Sequence, residues 1–187
     1  MTIPFSRRQV LQMSTALLPG AAFAAAAPAP KRILILGGTG FLGPAIVAAA
    51  EKRGHTLTLF NRGKTRPGLF PHIEKRQGDR DPLKGEGIKS LETGEWDAVI
   101  DDSGYYPRMV GASAQLLAPR VKQYIFISSI SAYKEPSPIN GDENSPLAVL
   151  ADPKVEEMGK GFENYGGLKA ACEAAAATRA CTANSTP

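Results

Sequence analysis

The stretch RILILGGTGFLG, residues 32–43, decides the fold. Its first half is a continuous apolar run, which is typical of a strand buried on both faces of a parallel sheet. Its second half places Gly37, Gly40 and Gly43 in the spacing G-x-x-G-x-x-G, and residues 44–53 that follow are Ala-rich with apolar side chains at helical spacing. A strand, a glycine turn and a helix in this order predict the opening unit of a dinucleotide-binding fold.

The three glycines have separate roles in such a turn. Gly37 permits the tight turn off the strand, Gly40 lets the backbone approach a pyrophosphate, and Gly43 lets the helix pack closely against the strand. The first N–H groups of the helix then face the anion. The cofactor contacts that we expect from this turn are Gly37, Thr39, Gly40, Phe41, Leu42 and Gly43.

Further strands and helices follow at regular intervals. Strands are predicted at residues 55–60, near 74–77, at 96–101 and at 124–129, and a helix is predicted at 107–117. Alternating strands and helices indicate a doubly wound parallel α/β sheet of the Rossmann type, here with about five strands.

The motif GGTGFLG is very close to a known fingerprint. It resembles that of the extended or atypical short-chain dehydrogenase/reductases, the NAD-dependent epimerase/dehydratase family, and the resemblance covers about residues 32–173. The resemblance implies a nicotinamide dinucleotide and a sugar nucleotide, or a similar carbonyl or hydroxyl compound, as substrate. An NAD(P)-dependent epimerase, dehydratase or reductase activity is the corresponding expectation.

The second predicted strand leads into Asn61, Arg62, Gly63 and Lys64. Sites that prefer NAD usually have Asp or Glu here to bind the ribose hydroxyls, and this sequence has neither. Arg62 and Lys64 stand where a 2′-phosphate would lie, which favours NADP over NAD. The alternative is that both are solvated loop charges. Asn61 is counted with them among the cofactor contacts.

Two further residues complete the expected cofactor site. In the resembled family an acidic residue after the third strand binds the adenine amino group, and Asp79 holds the matching position. A capped turn explains Asp79 equally well. Ser103 lies in the turn after the fourth strand and is the last expected cofactor contact.

A tyrosine and a lysine form the candidate catalytic pair. Tyr165 and Lys169 are four residues apart, so on a helix they share one face. A nearby ammonium lowers the pKa of a phenol, which suits Tyr165 to general acid–base chemistry. In the resembled family a Ser–Tyr–Lys set performs hydride-coupled proton transfer, and position maps its serine to Ser129, with Ser128 next. Y-x-x-x-K alone also arises by chance.

The amino terminus carries an export pattern. Arg7 and Arg8 precede a charge-free run at residues 13–27 with A-x-A cleavage patterns, which resembles a twin-arginine (Tat) signal peptide. Alternatives are a first amphipathic helix, or a membrane span that Pro19 and Gly20 interrupt. We expect a signal peptide and linker at 1–29, the nucleotide-binding domain at 30–180 and a disordered tail at 181–187. The Tat machinery would then be a partner and the periplasm or exterior the destination.

The carboxyl end departs from the resembled family. Residues 174–187 are small and polar, whereas the family continues with a sixth strand and a substrate-binding lobe. We expect a truncated or frame-shifted product, or a natural short protein, with little activity alone and with an exposed sheet edge open to self-association. The alternative function is nucleotide binding without turnover, with RNA binding as one form. The export signal and the small net charge of +4 argue against nucleic acid.

Cysteines and histidines are few. Cys172 and Cys181, with His55 and His72, have no metal-ligand spacing, so no metal site is predicted. A disulfide scaffold is excluded, while a single Cys172–Cys181 bridge and two free thiols both remain open.

Overall fold

A computed structural model describes residues 29–136 and 139–183 of this chain. The export pattern at residues 1–28 and the end of the expected tail, residues 184–187, lie outside that part. No helix in the described part is long and apolar enough to span a membrane.

Five parallel strands form one sheet in the order β3-β2-β1-β4-β5. The predicted Rossmann-like α/β sheet is therefore confirmed. The strands are β1 (Arg32–Leu36), β2 (Thr56–Asn61), β3 (Glu74–Gln77), β4 (Trp96–Asp101) and β5 (Val121–Phe126). The helices are α1 (Gly43–Lys52), α2 (Pro107–Leu117) and α3 (Tyr165–Ala183).

The central strand β1 explains why its sequence is continuously apolar. Side chains alternate between the two faces of a strand, and both faces are covered here. Ile33 and Ile35 belong to one buried cluster with Val47 of α1. Leu34 and Leu36 belong to a second cluster, which includes Leu117 of α2. The apolar run thus supplies both layers of the core.

The strand order reverses between β1 and β4. The chain runs from β1 to β2 on one side and later returns to place β4 on the other side, so a crevice opens at the carboxyl ends of these two strands. Two crossover connections carry little regular structure. Residues 62–73 contain no helix or strand, and the connection from β3 to β4 has only a 3-10 turn at Lys89–Leu91.

Strand β5 ends three residues before the predicted boundary, at Phe126. Its ladder with β4 runs from Trp96↔Val121 to Asp101↔Phe126, so it stops where β4 stops. Ser128 and Ser129 therefore follow the strand and precede a 3-10 turn at Ile130–Ala132. On its other side β5 has no neighbouring strand among the described residues.

The last helix returns the chain to the sheet. Residues 139–164 are irregular, apart from an isolated antiparallel bridge between Tyr133 and Leu147. Helix α3 then packs along α2 and rests on the 3-10 turn. A Cβ atom on Gly166 would lie 2.2 Å from the Ser131 carbonyl oxygen, so only glycine permits this approach.

The two cysteines lie on this same helix. Cys172 is a free, buried thiol, and Cys181 follows nine residues later on α3. Nine residues of helix rise about 13 Å, beyond the 7 Å limit for bridged Cα atoms. An internal Cys172–Cys181 bridge is therefore incompatible with the helix.

Candidate functional site

The glycine turn joins β1 to α1. Gly37 has φ +122° and Gly38 has φ +89°, a region that side chains rarely adopt. A Cβ atom on Gly43 would lie 2.4 Å from the Gly38 carbonyl carbon, so the helix packs directly on the turn. A Cβ atom on Gly40 would meet nothing within 4 Å. Gly37 and Gly43 thus maintain the turn, whereas Gly40 borders open space.

That open space belongs to a cavity of about 690 Å³ at the crevice between β1 and β4. Its volume lies in the range of small-molecule and cofactor sites. The predicted site residues that line it are Gly37, Thr39, Gly40, Phe41, Leu42, Asn61, Arg62, Lys64, Asp79, Ser103, Tyr165 and Lys169.

Gly43 and Ser129 are the predicted site residues that do not line this cavity. Gly43 is buried beneath the turn. The Ser129 side chain accepts the Ser131 N–H and caps the 3-10 turn. Ser128 does line the cavity, and its buried hydroxyl has no partner among the described residues. The assignment of the serine role to Ser129 stays a prediction, with Ser128 geometrically nearer the cavity.

Lys169 is held firmly by backbone. Its Nζ donates to the Gly104 carbonyl at 3.0 Å and to the Ile127 carbonyl at 2.8 Å, and the residue is only 4% exposed. Nζ also lies 4.1 Å from the centroid of the Phe126 ring. Burial lowers the pKa of Lys169. The ammonium therefore bridges the segment that follows β4 and the segment that follows β5. Its third N–H is available to a ligand.

Tyr165 is the first residue of α3 and reaches the same cavity, one helical turn before Lys169. Two residues that the sequence motifs did not predict, Tyr105 and Asp102, line the cavity with Tyr165 and Lys169. Tyr105 lines the cavity and has its pKa raised by burial and by the proximity of Tyr165. Asp102 lines it too, and burial together with the charge of Asp101 raises its pKa. Their place after β4, at the reversal of strand order, was the available signal.

A buried ion pair supports the floor of the cavity. Arg80 donates from Nη1 and Nη2 to the two carboxylate oxygens of Asp101, at 2.5 and 2.8 Å. Nη1 also donates to the Ser103 hydroxyl at 3.0 Å, and that hydroxyl donates to the Leu36 carbonyl at 2.8 Å. Burial alone would raise the pKa of Asp101, but the Arg80 charge outweighs it and lowers that pKa. The pair thus fixes Ser103 against the end of β1.

Asn61, Arg62 and Lys64 form the rim of the cavity. The Asn61 Oδ1 accepts the Gly63 N–H at 2.9 Å, while its buried Nδ2 has no partner among the described residues. Arg62 and Lys64 are exposed at the mouth. Asp79 also lines the cavity, and its Oδ1 accepts the Asp81 N–H at 2.9 Å, as a capped turn requires.

These features fit a dinucleotide. Two buried polar groups that line the cavity, the Asn61 amide and the Ser128 hydroxyl, lack partners in the described part of the chain. The turn leaves room beside Gly40, and the positive end of the α1 dipole begins directly after the turn, at Gly43. Pro44 has no N–H and the Ala45 N–H donates to the Leu42 carbonyl at 3.0 Å, so the attraction for an anion there comes from the dipole and from the N–H groups of the turn. No cluster of three His, Cys, Asp or Glu residues in the described ranges suits a metal ion.

Comparison with known proteins gives one curated relative and several solved structures. No protein-family model matches the chain. The Arabidopsis thaliana protein named chloroplast stem-loop binding protein of 41 kDa b is 31% identical over 159 residues, which cover 76% of this chain and 39% of that protein.

The solved structures are more distant in sequence. The Bordetella bronchiseptica enzyme WbmG, in complex with NAD, is 20% identical with a TM-score of 0.60, covering 87% of this chain and 52% of that one. The Bacillus cereus UDP-N-acetylglucosamine 4-epimerase is 20% identical with a TM-score of 0.57, covering 78% and 47%. A UDP-galactose 4-epimerase is 19% identical with a TM-score of 0.61, covering 79% and 50%.

The chain therefore spans 39% of the length of its curated relative and about half of the solved chains. At this level of identity the structural likeness establishes the fold. The chain has the Rossmann-like α/β fold of these solved structures.

Proposed function

We propose that this chain is the dinucleotide-binding part of an extended or atypical short-chain dehydrogenase/reductase of the epimerase/dehydratase type. One observation carries the proposal: a single cavity contains the open side of the glycine turn and the Tyr165–Lys169 pair. The epimerases with the same fold support it, and so does WbmG, whose structure holds NAD. The substrate class proposed is a sugar nucleotide or a similar carbonyl or hydroxyl compound.

The residues of the cavity would have separate roles in such a site. The glycine turn and the start of α1 would hold the pyrophosphate, and Asn61 would donate its unused amide N–H to the nucleotide. When bound, the nicotinamide accepts or supplies a hydride. Tyr165 would exchange a proton with the substrate oxygen, with the fixed ammonium of Lys169 one helical turn away in the same cavity. Ser129, or its neighbour Ser128, would hydrogen-bond the same oxygen.

NADP is the proposed cofactor in preference to NAD. Arg62 and Lys64 are exposed at the mouth of the cavity, next to the end of β2, and no carboxylate within the described ranges forms an ion pair with either. Two cations with free donors suit a 2′-phosphate, which carries up to two negative charges.

Dinucleotide binding is tested most sharply at Gly40. A Gly40→Ala variant adds a methyl group that meets no protein atom within 4 Å, so its thermal stability should match the wild type. The same methyl enters the space assigned to the pyrophosphate, so affinity for NADPH, measured by fluorescence titration, should fall at least tenfold. Gly68→Ala is the matched control, because its Cβ atom also meets nothing within 4 Å but Gly68 lies away from the cavity. Wild-type affinity in Gly40→Ala would contradict the proposal.

Turnover is a separate test. Hydride exchange with a panel of sugar nucleotides would be followed by absorbance of the reduced nicotinamide, and Tyr165→Phe should abolish whatever rate the wild type shows. We propose that this chain alone has little turnover, because the cavity residues assigned above serve the cofactor and proton transfer, and none is assigned to a sugar. A high rate that survives Tyr165→Phe would remove Tyr165 from the mechanism.

Nucleotide binding without turnover is the second candidate, and RNA is its most specific form. The Arabidopsis relative is named for stem-loop binding. Phe41 is 98% exposed, and it lines the same cavity as Arg62 and Lys64. An exposed aromatic ring and cations around one cavity suit base stacking and phosphate contact. Phe41→Ala should then weaken binding of a fluorescent RNA stem-loop, and absence of RNA binding by the wild type would reject this candidate.

We also propose export through the Tat route, from the pattern at Arg7 and Arg8. Changing both to Lys should retain the precursor in the cytoplasm of an expressing bacterium, as judged by fractionation. Arg53→Lys, the same exchange on an exposed helix end, is the control and should leave export unchanged. Normal export of the double variant would refute the proposal.

Self-association through the free edge of β5 is the last proposal. Ile125 on this strand is 37% exposed, and an edge strand offers unpaired backbone groups to a second chain. Ile125→Lys should shift sedimentation toward the monomer. A wild-type chain that sediments as a monomer at all concentrations would exclude this contact.

A further inference from the structure

Arg66 extends from the β2–β3 connection to the glycine turn. Its Nη2 donates to the Thr39 carbonyl at 2.5 Å and to the Gly40 carbonyl at 2.7 Å. Both acceptor residues line the cavity, and so does Thr65, whereas the Arg66 side chain reaches the turn from just outside that lining. The contact therefore links the loop that carries Arg62 and Lys64 directly to the turn assigned to the pyrophosphate.

The charge of Arg66 is not balanced by the protein. Arg66 is exposed, and no carboxylate in the described part of the chain forms an ion pair with it. Helix α1 begins three residues after Gly40, and the amino terminus of a helix carries partial positive charge. A cation placed there is unfavourable by itself and becomes favourable when an anion binds between the two.

The backbone at Arg66 adds a second observation. Arg66 has φ +44°, in the left-handed region that non-glycine residues rarely adopt, and it precedes Pro67. Its carbonyl accepts the Leu69 N–H at 3.0 Å, which closes a tight turn. Unfavourable backbone conformations of this kind cluster at ligand sites, where the position of the side chain has a use.

We propose that Arg66 is a further dinucleotide-binding residue that clamps the glycine turn and contacts the pyrophosphate. This inference rests on the proposed dinucleotide site. A guanidinium has five N–H donors, and the two carbonyl contacts use one terminal nitrogen. The N–H groups of Nε and Nη1 remain for phosphate oxygens, as charge-assisted hydrogen bonds. Because every nicotinamide dinucleotide has a pyrophosphate, Arg66 serves NAD and NADP alike, unlike Arg62 and Lys64.

The test compares ligands with and without a pyrophosphate. Dissociation constants for NADH, NADPH and adenosine 2′-monophosphate would be measured with the wild type, Arg66→Ala and Arg66→Lys. Arg66→Ala should weaken NADH and NADPH by about 10- to 100-fold, the range for hydrogen bonds to charged groups, and leave adenosine 2′-monophosphate unchanged. Arg66→Lys should recover only part of the loss, because a single ammonium lacks the geometry to bind both carbonyls and a phosphate. Arg53→Ala, at the exposed end of α1, is the control for loss of one surface cation.

Three results with Arg66→Ala would overturn the inference. NADH affinity of Arg66→Ala equal to that of the wild type would show that Arg66 makes no contact with the pyrophosphate. A loss confined to NADPH would assign Arg66 to the 2′-phosphate instead. An equal loss for adenosine 2′-monophosphate, together with a lower melting temperature, would show a purely structural role. If the wild type binds no dinucleotide, the proposed function fails and this inference with it, whereas binding by the wild type with an unaffected Arg66→Ala rejects this inference alone.

Discussion

Replacing Asp101 with Asn should destabilise the protein strongly, although the two side chains have nearly the same shape. Asp101 is fully buried and accepts hydrogen bonds from both terminal nitrogens of Arg80, from the Tyr124 hydroxyl and from the Ser103 N–H. An amide cannot accept all four, and it leaves the Arg80 cation buried without a counter-charge. Removing one partner of a buried pair costs about 3–5 kcal/mol.

Urea denaturation of the wild type and four variants would measure this loss. Asp101→Asn and Arg80→Met should each lower the free energy of unfolding by about 3–5 kcal/mol. The double variant should lose less free energy of unfolding than the two single variants lose together, because its second substitution removes the buried charge that the first left without a partner. Glu86→Gln is the control: Glu86 accepts a 2.8 Å bond from Lys89, but both side chains are exposed, so the stability should not change.

Acid titration gives an independent reading of the same pair. The pKa of Asp101 is lower in the folded protein than in the unfolded chain, where it is about 3.9. The pair therefore stabilises the fold fully above that value, and its contribution is lost as the pH falls through the lower folded pKa. The unfolding free energy of Asp101→Asn should accordingly depend less on pH in acid. Additive single losses, or a loss in Asp101→Asn as small as in Glu86→Gln, would refute the reasoning.

Three further outcomes follow from single contacts. In a Cys181→Ser background, Cys172 should resist thiol reagents until the protein unfolds, because burial raises its pKa to about 12; rapid labelling of the native protein would contradict this. Gly166→Ala should lower the unfolding free energy by about 1–3 kcal/mol through the clash with the Ser131 carbonyl, and a stability equal to the wild type would show that α3 shifts freely. Arg62→Ala should weaken NADPH by about 1–3 kcal/mol without affecting NADH, and equal wild-type affinity for both cofactors would exclude a 2′-phosphate site.

The local pattern of the sequence was sufficient to predict the sheet. The apolar run before Gly37 predicts a central strand because both of its faces are covered, and the bounds predicted for β4 and α2 are those observed. Strand β5 was placed three residues too late. Its apolar run continues through Ile125 and Ile127, but the ladder stops at the end of β4, which only the pairing reveals.

The candidate site was only partly predictable, because several of its contacts join distant residues. The cavity brings together the glycine turn, Tyr165 and Lys169, as the motifs indicated. Arg80 and Arg66 were missed, since each is a single arginine in a polar loop and its partners lie 21 or more residues away. Ser128 and Ser129 differ by one position, and once the strand ends no alternation rule fixes which of them faces the cavity.

The long-range contacts of Lys169 affect when the candidate site can form during synthesis of the chain. Its ammonium binds carbonyls 65 and 42 residues earlier, at Gly104 and Ile127, while the glycine turn lies near the beginning of the described fold. A chain emerging from the ribosome has therefore exposed the whole sheet before the residue that joins the ends of β4 and β5 is available. A ligand that contacts both the glycine turn and α3 would select chains in which the first and last elements have docked, and at a concentration of 100 times its dissociation constant it would favour that state by about 2.7 kcal/mol.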